Sequence, residues 1–224
     1  MAINKEKYKA IINELKNTTT LVAVSKTKPA EDILELYNLG QRHFGENYVQ
    51  ELADKQSALP KDIHWHFIGH LQSNKVKQIA PLVYLIHGVD SLKLLQEINK
   101  QAGKLNKTIN VLLQVHIAKE ETKFGLDEKE LDTILDKNKL APLHNICVSG
   151  LMGMASFTED TSVIKNEFSR LKQNFDKYEK LEIPNCKFQF LSMGMSSDYT
   201  IAIAEGSNMV RIGSLLFGQR NHTM

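Results

Sequence analysis

At 224 residues, 42% hydrophobic and 24% charged, the chain is long enough to bury one large core, and no composition shift or Gly/Ser-rich linker divides it. A formal net charge of +2, with Lys and Arg scattered among acids, argues against a dedicated nucleic-acid surface; the densest basic spot, "SNKVKQ", reads as a solvated helix face. No stretch is long and apolar enough to span a bilayer, and two widely spaced cysteines, Cys147 and Cys186, fit reduced thiols in a cytoplasmic protein better than a disulfide framework.

The chain opens with "MAINKEKYKAIINELKN", an amphipathic charged helix without the apolar core of a signal peptide. The first strand, "TLVAVSK", ends in a lysine, although burying an unpaired ammonium group costs several kcal/mol (about) or forces loss of its proton. Val22, Val24 and Lys26 share one strand face, and Pro29 opens the helix at 29–39, so Lys26 sits at the strand's C-terminal mouth. There it is either a structural lysine paired with a carboxylate or a neutral amine poised to attack a carbonyl. Lys28 shares the parity but lies beside the helix start, which makes it the poorer candidate.

Next comes "RHFGEN", ending in Glu46 and Asn47, before a helix at 47–56 that Asn47 could cap. "IHWHFIG" puts His64 and His66 on one face, a spacing that some metal sites use. No acidic cluster at later strand ends completes a ligand set, so hydrogen-bonded histidines and no metal are expected. Helices at 73–80, 91–103, 127–138, 160–179 and 197–205 then alternate with "PLVYLIHGV", "INVLLQVHI", "NICVSGLM", "KFQFLSMG" and "NMVRIGS".

Eight strands with helical crossovers predict an α/β fold, a single (β/α)8 TIM barrel over 1–224 with an extra N-terminal helix. An open doubly wound sheet would usually carry a Gly-rich phosphate loop after its first strand, and "SKTKPAE" is not one. At the ends of the last two strands, "LSMGMSSDYTIAIAEG" and "NMVRIGSLLFG" supply Gly194, Ser196, Ser197, Gly213 and Ser214. Barrels often bind phosphate after strands seven and eight, through such hydroxyls and backbone N–H groups. Ser197 reads as no more than a helix cap. Arg211 shares the parity of Gly213 and points into the barrel, where it needs a partner: a ligand's ring nitrogen or a carboxylate such as Glu46.

Six motifs, "AVSKTKP", "HFGENYVQE", "WHFIGHLQSNK", "SGLMGMA", "LSMGMSSDY" and "VRIGSLLFG", span nearly the whole chain. In their order and spacing the chain closely resembles the YggS/PROSC family of pyridoxal 5′-phosphate (PLP) homeostasis proteins, which share the fold-type III barrel of alanine racemase. The resemblance implies PLP as cofactor, held as a Schiff base on Lys26. It implies Ser196, Gly213 and Ser214 at the phosphate, Arg211 facing the pyridine nitrogen, Asn47 near the ring and its 3-hydroxyl, and His66, Met152 and Met193 along the walls. Met154 and Met195 read as mouth and core filler, in contact with cofactor only if they face in. His116, in "QVHIAKEETKFG", departs from the asparagine of many relatives.

Two functions fit such a site. One is a PLP-dependent racemase, lyase or decarboxylase; the other is a non-catalytic carrier that buffers PLP or delivers it to PLP-dependent apoenzymes. Fold-type III enzymes add a β-rich second domain with an opposing acid/base, whereas "FGQRNHTM" follows the eighth strand here. Two-base proton transfer at an α-carbon needs groups on both cofactor faces. The expectation is therefore a monomeric cytoplasmic carrier of PLP, with no nucleic-acid or membrane partner.

Overall fold

Short β-branched runs alternating with helical segments give eight parallel strands, hydrogen-bonded in sequence order and closed on themselves, as the periodicity predicts. The computed structural model describes residues 3–120 and 124–218. Part of the loop in "KEETKFG" and the segment "QRNHTM" lie outside the described residues. The strands are β1 Thr20–Val24, β2 His43–Glu46, β3 His64–Phe67, β4 Leu85–Val89, β5 Ile109–Gln114, β6 Ile146–Met152, β7 Cys186–Ser192 and β8 Met209–Ile212.

Around them lie α1 Lys5–Leu15, α2 Ala30–Asn38, α3 Val49–Ala58, α4 Val76–Ile79, α5 Leu92–Lys104, α6 Glu128–Ile134, α7 Lys137–Leu140, α8 Thr161–Glu179, α9 Tyr199–Ala204 and α10 Ser214–Phe217. Asn4, Ser91, Asp136 and Asp160 cap their helices with side-chain oxygens, and Asp127 with Glu130 forms a reciprocal capping box. The helices differ from the periodic pattern in several places, with α3 starting two residues after the expected 47 and α10 added after β8. The stretch 127–138 divides because Asp136 takes an extended conformation and caps α7. The stretch 73–80 opens as a 3-10 turn, Ser73–Lys75. The helix expected at 197–205 starts two residues later, with Asp198 rather than Ser197 at its N-cap position.

The outward strand residues Ala23, Phe44, Trp65, Phe67, Val111 and Leu113 pack against buried helix residues such as Ile33, Leu52, Ile98 and Phe168. Inside, a smaller cluster of Val22, Leu85, Leu112, Met152 and Met209 fills part of the barrel. The interior also holds polar side chains: His66, His87 and Ser192 are all 0% exposed.

The β7–β8 seam combines backbone bonds, among them Arg211 N–H to the Gly194 carbonyl at 3.0 Å and Met193 N–H to the Met209 carbonyl at 3.2 Å, with side-chain ones. Its ladder has a single register pair, Ser192 with Met209. The buried Ser207 hydroxyl lies 2.8 Å from the Met193 carbonyl and 3.1 Å from those of Leu191 and Met209. Asn208 Oδ1 accepts from the Leu191 N–H at 2.8 Å. Ser207→Ala is expected to cost about 1–2 kcal/mol, read from the urea midpoint, with faster hydrogen exchange at the seam than at β2–β3.

Candidate functional site

The strand C-termini open into a cavity of about 530 Å³ lined by Val24, Lys26, Lys28, Asn47, Ile68, Met154, Phe157, Met195, Ser196, Ser197, Arg211, Gly213, Ser214, Phe217 and Gly218. This is the end at which barrels place their chemistry. Lys26 follows β1 in a turn held from both sides. Ser25 faces outward and donates its hydroxyl to Glu46 Oε1 at 2.6 Å. Lys55 Nζ donates to the Ser25 carbonyl, Glu46 Oε1 and Glu51 Oε1, each at 2.7 Å. Glu51 in turn accepts the Thr27 N–H at 2.6 Å, and Thr27 has φ 64°, a left-handed conformation costly for a β-branched residue. The clamp thus pins the residues on either side of Lys26 and turns its side chain into the cavity. Lys28 has a different role: its ammonium donates to the Phe217 carbonyl at 2.8 Å, tying the β1 turn to α10.

Glu46 is therefore not the carboxylate partner of Arg211. It faces away from the barrel axis, 0% exposed, and burial pushes its carboxyl up against the pull of Lys55 and the Ser25 hydroxyl. Arg211 instead donates to the Ser192 carbonyl at 2.8 Å, the Ser192 hydroxyl at 2.7 Å and the Gly153 carbonyl at 3.0 Å. Burial lowers its pKa to about 10 even with the negative charge of Asp198 nearby. Three such bonds leave two of the five guanidinium N–H groups for an occupant of the cavity.

Asn47 does not cap α3, whose N-cap position is Tyr48 without a side-chain bond. Its Oδ1 is buried and has no hydrogen-bond partner, although the residue lines the cavity. An orphaned buried acceptor of this kind costs free energy unless a ligand or solvent satisfies it. Gly69 permits this placement: a Cβ there would stand 2.5 Å from the Asn47 carbonyl oxygen. On the opposite side, Ser196 Oγ accepts the Gly213 N–H at 3.3 Å, bringing the turns after β7 and β8 together.

The structure thus gathers Lys26, Asn47, Ser196, Arg211, Gly213 and Ser214 around one cavity, and leaves His66 and Met193 out of its wall. His66 lies within the barrel, bonded at 2.9 Å to His43 and 2.8 Å to His87. Met193 packs into the outer core, because Ser192 takes the inward place at the end of β7. Gly194, at φ 96°, then redirects the chain so that Met195 reaches the cavity. Met152 is interior filler, and Met154, two residues on, lines the wall. Ile68, Phe157 and Phe217 were not singled out in sequence; Ile68 could have been found as the next inward position after His64 and His66. His116 lies outside the cavity wall, its Nε2 3.0 Å from the Glu120 carbonyl. Among the described residues no group of three or more His, Cys, Asp or Glu is arranged to hold a metal ion.

Lys55→Met strands the Glu46 carboxylate and should destabilise the protein by about 3–5 kcal/mol in urea unfolding, an effect reduced when Glu46→Gln accompanies it. Burial first, and neighbouring positive groups second, push His66 and His87 well below 6.5 and His43 to about 4. The unfolded chain binds protons that these histidines refuse, so their neutral packing is uncompromised above pH 6.5 and is undermined as pH falls from there toward 4. The urea midpoint should fall through that window, by about 1.4 kcal/mol per pH unit for each proton taken up on unfolding alone.

Residues 3–221 match the alanine racemase N-terminal domain family. A pyridoxal phosphate homeostasis protein of Aquifex aeolicus is 41% identical over 207 residues, covering 92% of this chain and 89% of its own length. The PLP-bound structure of PipY from Synechococcus elongatus superposes with a TM-score of 0.86 at 36% identity, covering 95% of this chain and 99% of that one. Alanine racemase from Bartonella henselae shares the fold at a TM-score of 0.72 and 18% identity, and the match covers 62% of that enzyme.

Proposed function

The chain belongs to the alanine racemase N-terminal domain family and, within it, to the pyridoxal phosphate homeostasis proteins, and from that premise we propose that it holds PLP at the barrel mouth and buffers or delivers it. The observation that carries this reading is the convergence on one cavity of a clamped lysine, an orphaned buried acceptor on Asn47, a buried guanidinium and three serine hydroxyls. When bound, PLP supplies an aldehyde that condenses with an amine, and a phosphate that anchors it. Lys26 offers the amine at one side. At another side Ser196 and Ser214 would offer hydrogen bonds to the phosphate, joined by the Gly213 N–H if it exchanged its long bond to Ser196; Arg211 would donate toward the ring nitrogen, and Asn47 Oδ1 would accept from the ring hydroxyl.

The carrier reading over the enzyme reading is supported by what the described cavity walls hold. They include no His, Tyr, Cys, Asp or Glu, so Lys26 and Lys28 are the amines available for proton transfer at an α-carbon, and Lys28 is tied to Phe217. Reprotonation on the opposite cofactor face needs a second placed group. Two cysteines outside any disulfide support a cytoplasmic setting, where PLP-dependent apoenzymes would be the recipients.

Borohydride reduction of PLP-loaded protein should fix the cofactor on Lys26, as read by peptide mapping; an adduct mainly on Lys28 would contradict the assignment. Ser196→Ala should weaken PLP about tenfold, as expected for loss of one charged hydrogen bond, and hardly affect pyridoxal, which lacks the phosphate. In deuterated water, α-deuterium exchange of L- and D-amino acids on the loaded protein should stay far below the enzyme range of roughly 1–10³ per second. Exchange at enzyme rates, lost in Lys26→Ala, would make the protein a racemase or lyase instead.

A further inference from the structure

A column of four histidines runs through the barrel interior behind Arg211. His64 Nδ1 lies 3.4 Å from His43 Nε2, His43 Nδ1 lies 2.9 Å from His66 Nε2, and His66 Nδ1 lies 2.8 Å from His87 Nε2. His87 Nδ1 lies 3.0 Å from the Ser192 hydroxyl, which also meets Arg211. Every link joins the Nδ1 of one ring to the Nε2 of the next, and at the far end His64 stacks on Tyr84, their ring centres 4.4 Å apart. The strand register brings these rings together: His43 pairs with His64 across β2–β3.

Donor counting gives the column one direction. A guanidinium only donates, so the Ser192 oxygen accepts from Arg211, and its single hydrogen can then go to His87 Nδ1. His87 must therefore carry its proton on Nε2 and donate to His66 Nδ1. His66 passes the same constraint to His43, and His43 to His64. The opposite direction makes Ser192 accept from both neighbours and strands its own hydrogen at a position with 0% exposure. Neutral rings suit this arrangement, since an added proton would put a second donor into a link that already has one.

We propose that Ser192, His87, His66 and His43 are positioning residues for Arg211: a one-way hydrogen-bonded column, set in direction by the guanidinium, that holds its orientation and so fixes which N–H groups it presents to the cavity. The effect on a bound ring rests on the PLP reading above; the direction of the column does not. Linked hydrogen bonds of this kind polarise one another, so a break in one link is felt at the others.

The test uses full-length protein labelled with ¹⁵N-histidine. Long-range ¹H–¹⁵N correlation spectra without PLP should show His87, His66 and His43 neutral, protonated on Nε2 and bare on Nδ1. Protonation on Nδ1, or a mixture of tautomers in the wild type, would overturn the proposal. Ser192→Ala should mix the tautomers of His87 and His66, shift the absorption maximum of bound PLP and weaken both PLP and pyridoxal about tenfold. Ser192→Thr, which keeps the hydroxyl, should restore all three. Because Ser192→Ala could also disturb the seam, His87→Gln and His87→Phe provide a second comparison: the amide can accept and donate where the phenyl ring can do neither, so only the phenylalanine should displace the spectrum. Equal spectra for Ser192→Ala and wild type would sink the positioning role. Failure of the wild type to bind PLP would sink the cofactor reading and leave the tautomer result to decide the column.

Discussion

A guanidinium sealed inside a barrel must be satisfied where it lies, and that requirement organises much of this structure. Arg211 is 5% exposed and its hydrogen-bond partners are two carbonyls and a hydroxyl rather than a carboxylate. Desolvating a cation costs several kcal/mol (about), and polar partners must offset it. Those partners come from the ends of β6 and β7, so one side chain on β8 ties both strands together across the barrel mouth. The side-chain stitching at the β7–β8 seam places Ser192 where Arg211 can reach it.

The lysine side of the cavity is organised by a different arrangement with a similar logic. Glu46, Lys55 and Glu51 lie outside the cavity, yet they hold the Ser25 carbonyl and hydroxyl and the Thr27 N–H. A strained threonine persists because its surroundings over-determine it. One face of the β1–β2 pair thus spends its charges on rigidity while the other presents Lys26 to a ligand.

Period and parity made the barrel readable, since eight β-branched runs separated by amphipathic segments leave few alternatives. Parity also put Val24, Lys26, Arg211 and Gly213 on inward faces, and glycine and serine at the last two strand ends marked the other wall. Parity failed where the backbone changes direction. Gly194 moves the inward position from Met193 to Met195, and nothing in "SMGMSS" states its φ. Partners were harder still: Glu46 looked available to Arg211 because sequence does not say which of two faces a strand-end carboxylate takes once Lys55 approaches from α3. The histidine column was invisible for the same reason. His43 and His87 lie on separate strands, and only the lateral register brings them into line with His66.

The two ends of the described chain meet at this site. The Asn4 N–H donates to the Leu216 carbonyl at 2.8 Å, Lys28 reaches the Phe217 carbonyl at 2.8 Å, and β1 closes the barrel against β8. During synthesis the N-terminal part emerges first. Lys26 and Asn47 therefore leave the ribosome well before Arg211, Gly213 and Ser214. A nascent chain that stops short of β8 carries one wall of the cavity without the other. The cavity is thus a property of the chain through its eighth strand, absent until β8 docks between β7 and β1.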